Sequence, residues 1–126
     1  MPPDTEARTW LSYARADLRM ASHDTAGPDD GPMRDLCCFH SQQAAEKALK
    51  GVLVSRGMAV PRIHNVAALL AIVTDAPSAV QQAASLSAHA TAGRYPETGH
   101  STEHDLAEAI ELARTVVEWA EQQIGT

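Results

Sequence analysis

The chain has 126 residues, of which 44% are hydrophobic but only 4% aromatic, and it carries a formal net charge of −6. That length fits one domain, spanning residues 1–126, in which folding buries roughly two-thirds of the surface exposed when unfolded; alanine as the commonest filler of the long segments, with so few aromatics, favours helices over sheet. The acidic balance excludes a protein that coats nucleic acid non-specifically through many cations, so any RNA contact has to be local.

The N-terminal run MPPDTEARTW lacks the basic-then-apolar order of a secretory signal, and no stretch of about 18 apolar residues follows it. The expectation is a soluble, cytoplasmic protein with no membrane contact. The first helix is read from Ala7, Leu11, Ala14, Leu18 and Ala21, whose steps of four and three place them along one stripe widened by Trp10. Asp4 or Thr5 can cap it, and the Gly-, Pro- and Asp-rich stretch from His23 to Pro32 ends it in a loop.

A second helix is predicted from about Met33 to Arg56, stopped by Gly57 and then Pro61. Ala44, Ala45, Ala48, Leu49, Val52 and Leu53 cover its apolar arc, and His40, Gln43, Lys47 and Lys50 share the opposite, polar one. Gln42 falls inside the apolar arc, where a buried amide needs hydrogen-bond partners, and it is expected to tie two helices together. Cys37 and Cys38 are neighbours on this helix with side chains about 100° apart, so they are read as unpaired, buried thiols rather than a disulfide or zinc site.

A shorter third helix covers about Asn65 to Thr74 and is closed by Pro77. A fourth, capped by Ser78, runs to about Ala92 on a weak stripe of Val80, Ala83, Leu86 and Ala90. The last shows the clearest period, a 4-3-4-3-4 spacing of Leu106, Ile110, Ala113, Val117, Ala120 and Ile124, with Ser101 or Thr102 as its cap. The fold class is therefore all-α, an up-and-down antiparallel bundle of four to five helices.

The stretch CFHSQQAAEKALKGVLVSRGMAVPRIHNVAALL, from Cys38 to Leu70, resembles the HEPN domain family, as does RYPE at Arg94 to Glu97. The positions that carry the pattern are Phe39, His40, the QQAAEKALK block from Gln42 to Lys50, Gly57, Pro61 and His64. Trp10, Asp17, Leu18 and Trp119 extend the likeness over nearly the whole chain.

The resemblance implies a helical-bundle protein, a homodimer, that is often paired with an MNT-type nucleotidyltransferase in a toxin-antitoxin-like pair and in some members cleaves RNA without metal or cofactor. Ribonuclease members use an Arg followed four to six residues later by a His, which maps onto Arg94 and His100; two such motifs meet across a two-fold axis. In that reading His100 is the general acid or base on a ribose 2′-hydroxyl and Arg94 stabilises phosphate charge. Tyr95 stands where a polar residue usually follows the Arg, and Pro96 and Gly99 make the segment a turn. The alternative is that Arg94 pairs with a carboxylate and His100 is a solvated turn residue.

The run HSTEH from His100 to His104 also has H-x-x-E-H zinc spacing, but it sits at a helix start with only a short tail to provide a third ligand, so no metal site is assigned. His40, Lys47, Lys50, Arg62 and His64 are the candidate residues for binding a phosphate or nucleotide, where local cations could offset the overall acidity. With them goes the alternative function, a noncatalytic helper that binds a nucleotide or a protein partner through its polar helix faces.

Overall fold

The computed structural model describes residues 3–23, 30–89 and 99–125. Its elements are α1 (Pro3–Ala21), α2 (Gly31–Ser55), α3 (Val66–Ile72), α4 (Ser78–Gln81), a 3₁₀ segment (Gln82–His89) and α5 (Glu103–Ile124). No helix among the described residues is long and apolar enough to cross a membrane.

α2 is the central rod, packed most extensively against α1 and α5. Ala44, Ala45 and Ala48 are fully buried on it, and with no side chain beyond Cβ they let neighbouring backbones come close. Gly51 carries this furthest, because a Cβ there would stand 3.1 Å from the Ala7 carbonyl oxygen and 3.2 Å from both Trp10 and Ile124. Around the alanines, Leu11, Leu49, Leu53, Leu69, Leu86, Val52, Val66, Val73 and Val116 fill the core.

Cross-contacts fix the helix directions. Along α1 and α2, Trp10 meets Lys50, Tyr13 meets Lys47, Asp17 meets His40 and Met20 meets Cys37, so the two run antiparallel. Arg8 reaches Gly125 and Arg15 reaches Glu121, making α1 antiparallel to α5 as well. Asp35 contacts Ser101 while Gly51 lies by Ile124, so α2 and α5 run parallel, and the chain between them travels back through α3, α4 and the 3₁₀ segment.

Local signals explain the ends. α2 stops in a Schellman turn, with Gly57 at φ 79° and the amides of Gly57 and Met58 donating to the carbonyls of Val54 and Leu53. Arg56, beside that turn, grips Asp75 through two bonds of 2.7 and 2.9 Å. Asn65 caps α3 through its side chain, which accepts from the Ala68 amide, so this residue stands just outside the helix it is expected to begin. Thr102 and Asp105 close a reciprocal capping box at the start of α5, with bonds of 3.0 and 2.9 Å.

The predicted fourth helix needs correction. Only Ser78–Gln81 is α-helical, with Pro77 rather than Ser78 at the cap position, and Gln82–His89 follows as a 3₁₀ helix. Val80, Ala83 and Leu86, all buried, recur every third residue, which matches three residues per turn and not the 3.6 of an α-helix. The serines favour the tighter coil: Ser85 donates to the Gln82 carbonyl, and Ser87 bridges to Asn65 and the Ala67 amide at the head of α3. The predicted continuation to Ala92 lies outside the described residues.

Removing the α5 cap should weaken the whole bundle. Thr102→Ala is expected to lower unfolding free energy by about 1 kcal/mol, read from urea titration at unchanged m-value.

Candidate functional site

The turn leading into α5 is fastened to the first turns of α2 by one carboxylate. Asp35 is buried; its Oδ2 lies 2.6 Å from His100 Nδ1, and its Oδ1 accepts the Ser101 amide at 2.8 Å. Arg34, the preceding residue, donates its Nε to the Ser101 carbonyl at 3.0 Å, so both sides of Ser101 are held from α2. The His100 ring lies against Gly31, where a Cβ would come within 2.6 Å of the ring Cδ2 and 2.7 Å of Cγ. Glycine at position 31 is therefore the seat of the imidazole.

Burial alone would raise the Asp35 carboxyl, but the hydrogen bonds from His100 and Ser101 outweigh it and hold the group below the ordinary aspartate range. An ionised carboxylate only accepts, so the ring nitrogen facing it, Nδ1, is the donor, and in the neutral ring this leaves the lone pair on Nε2. Half of the His100 side chain is exposed. A ring held in this way can act as a positioned base, with its outer nitrogen open to an incoming proton.

Arg94 lies outside the described residues, as does the rest of RYPE. Asp35, Arg34 and Gly31 are not singled out by the sequence. The available signal is slight: an acid and a base set directly before the apolar run Leu36, Cys37, Cys38 and Phe39, in a helix whose other acid is Glu46.

The remaining candidates divide into two clusters on α2. In the first, Asp17 of α1 bonds His40 Nδ1 at 2.9 Å and Lys47 Nζ at 2.6 Å, and Lys47 lies 5.8 Å from the centre of the Tyr13 ring. In the second, Glu46 gathers Gln42, Lys50 and His64, each at 3.4 Å. Lys50 departs from the expected polar arc: it is buried with Glu46, its Nζ 5.7 Å from the Trp10 ring centre. Gln42 also differs from expectation, since its amide bonds Glu46 one turn along the same helix rather than a second helix, and its Oε1 has no partner among the described residues.

Both lysines thus sit on carboxylates, while His64 and Arg62 are exposed in the connection to α3. Glu6, Thr9, Trp10, Tyr13 and Lys47 line a cleft of about 430 Å³ beside the first cluster. Cys37 and Cys38 are free and buried, and burial pushes both thiols up, away from the reactive thiolate. His104 is exposed and 4.0 Å from Glu108, and no group of three metal-binding side chains occurs among the described residues.

The clamp makes stability depend on pH with a definite sign. Because the folded Asp35 carboxyl titrates below the unfolded one, its contribution is complete above the unfolded value of about 4 and is lost as pH falls through the folded value. The stability advantage of the wild-type chain over Asp35→Asn should therefore shrink as pH falls below about 4, as urea titrations at each pH would show.

The sequence and the architecture have known counterparts. The family model for the HEPN domain matches residues 7–123. Among solved structures, ST0689, described as an archaeal HEPN homologue, is 31% identical, with a TM-score of 0.72 over 94% of this chain and 98% of the other. TT1696 from Thermus thermophilus is 32% identical, with a TM-score of 0.74 over 98% and 99% of the two chains. No curated protein matches the chain. With a family match over nearly its full length and the same helical architecture in these relatives, the chain belongs to the HEPN domain family.

Proposed function

We propose that this HEPN protein is a metal-independent endoribonuclease, homodimeric, and the partner of an MNT-type nucleotidyltransferase in a toxin-antitoxin-like pair. The observation that carries the reading is His100, half-exposed and held through Nδ1 by a buried aspartate. The glycine seat, the buried carboxylate and the two further bonds to Ser101 hold that imidazole in one place, as a general base requires.

In the reaction, Nε2 of His100 takes the proton of a ribose 2′-hydroxyl while the 2′-oxygen attacks the adjacent phosphorus. The P–O5′ bond breaks, and the departing 5′-oxygen takes a proton from water or from the imidazolium of the second copy. The products are a 2′,3′-cyclic phosphate and a 5′-hydroxyl end. Arg94 is assigned to the phosphate, and Asp35, which does not touch substrate, stabilises the imidazolium as it forms.

A noncatalytic reading draws on a different feature, the cleft lined by Trp10, Tyr13 and Lys47, whose aromatic faces suit a nucleobase. It predicts calorimetric binding of a nucleotide without turnover.

Incubation of the purified chain with an end-labelled RNA in excess EDTA separates the two. Cleavage is expected, reduced about 100-fold or more in His100→Ala and Arg94→Ala, and suppressed by the co-expressed nucleotidyltransferase. Intact RNA, or cleavage indifferent to both substitutions, rules the proposed mechanism out.

A further inference from the structure

Two consecutive residues of α2, opposite in charge, hold one residue of the turn before α5. Asp35 accepts the Ser101 amide, and Arg34 donates its Nε to the Ser101 carbonyl at 3.0 Å. The carboxylate is buried, and its bonds to His100 and Ser101 account for it there. The guanidinium is half-buried, and its bond to a neutral carbonyl fixes its plane without cancelling its charge. A guanidinium has five N–H donors in a fork that matches two oxygens of a phosphate, and it stays charged throughout the physiological range.

Ser101 follows His100 directly, with Cα atoms about 3.8 Å apart, and Gly31, one turn before Arg34 on the same helix, seats the ring. Arg34 therefore brings its charge to the residue next to His100. Other cations are placed differently: Lys47, Lys50, Arg15, Arg56 and Arg114 lie against carboxylates elsewhere, and Arg8 reaches Gly125 at the opposite end of the bundle.

The proposed cleavage puts a ribose 2′-hydroxyl on Nε2 of His100, and the phosphorus that it attacks hangs on the 3′-oxygen of the same ribose. The two non-bridging oxygens then lie beside the imidazole, where negative charge builds as the O2′–P bond forms. We infer that Arg34 is a substrate-binding residue of this site, its guanidinium holding the non-bridging oxygens of that phosphodiester. Arg94 keeps the phosphate role assigned to it; Arg34 adds a second cation, supplied by α2 and outside the Arg-to-His spacing. The chemistry of this inference rests on the cleavage reading, whereas contact with a phosphodiester is measurable without it.

A single-stranded 2′-deoxy oligonucleotide, which lacks the attacking hydroxyl, separates the two. Arg34→Gln keeps an N–H donor for the Ser101 carbonyl and removes the charge, so a purely structural Arg34 would survive it. In the full chain this variant should bind the oligonucleotide about 10-fold more weakly. The slope of log K against log salt concentration should fall by about 0.7, with helical circular dichroism and the ¹⁵N signals of the His100 ring unchanged. RNA cleavage should lose about 100-fold or more in kcat, and Arg34→Lys, which keeps the charge without the fork, should restore part of the binding. Arg8→Gln, at the far end of the bundle, should match the wild-type chain in both assays. If Arg34→Gln fails to fold, the Nε–H resonance of Arg34 in the unaltered chain should shift on titration with the oligonucleotide. Four results overturn the inference: a wild-type chain that does not bind the oligonucleotide, binding and slope unchanged in Arg34→Gln, a loss accompanied by altered His100 ring signals, or an Arg34 resonance that stays put. Binding that depends on Arg34, with RNA left intact, supports the contact and removes the cleavage reading.

Discussion

The carboxylate of Asp35 joins the two parts of the molecule on which its proposed activity depends. α2 is laid down early in the chain and packs on α1 through alanines; the turn before α5 arrives 65 residues later and has no hydrophobic side chain of its own at His100, Ser101 or Thr102. Without a polar tether, that turn would be positioned only by the helix after it. Asp35 supplies the tether from a buried position, accepting from both a backbone amide and a side chain. A buried carboxylate is tolerable because those donors replace the water it loses.

The same interaction serves packing and chemistry together. Holding Ser101 sets where α5 begins, and Thr102 caps it in the next position. Holding His100 sets which imidazole nitrogen is available. Gly31 completes the arrangement, since a Cβ there would come within 2.6 Å of the ring and could not be accommodated without a shift. A few residues in the first turns of one helix thus determine the pose of a group that sequence alone places in a loop.

Much of the architecture is legible from spacing. α2 and α5 follow from their apolar periods and end signals, because Schellman glycines and Thr-Asp capping boxes act within four or five residues. The 3₁₀ segment departs from the α-helix expected there, although Val80, Ala83 and Leu86 carry a three-residue repeat. Lys50 departs from its expected place for a different reason: its partners, Glu46 and Trp10, lie on two helices, and only their packing takes a lysine out of water. Asp35 belongs to the same class. Its meaning comes from a contact across 65 positions, which no local pattern encodes.

These features make the fixed tautomer of His100 the centre of the account, and nitrogen-15 spectroscopy reads it directly without reference to RNA. In the ¹⁵N-labelled protein, above the pH at which the imidazole loses its charge, His100 should show a protonated, pyrrole-like Nδ1 and an unprotonated, pyridine-like Nε2. Asp35→Asn should abolish that preference. Observation of a proton on Nε2 in the wild-type chain, or a rapidly averaging mixture of the two forms, would contradict the account.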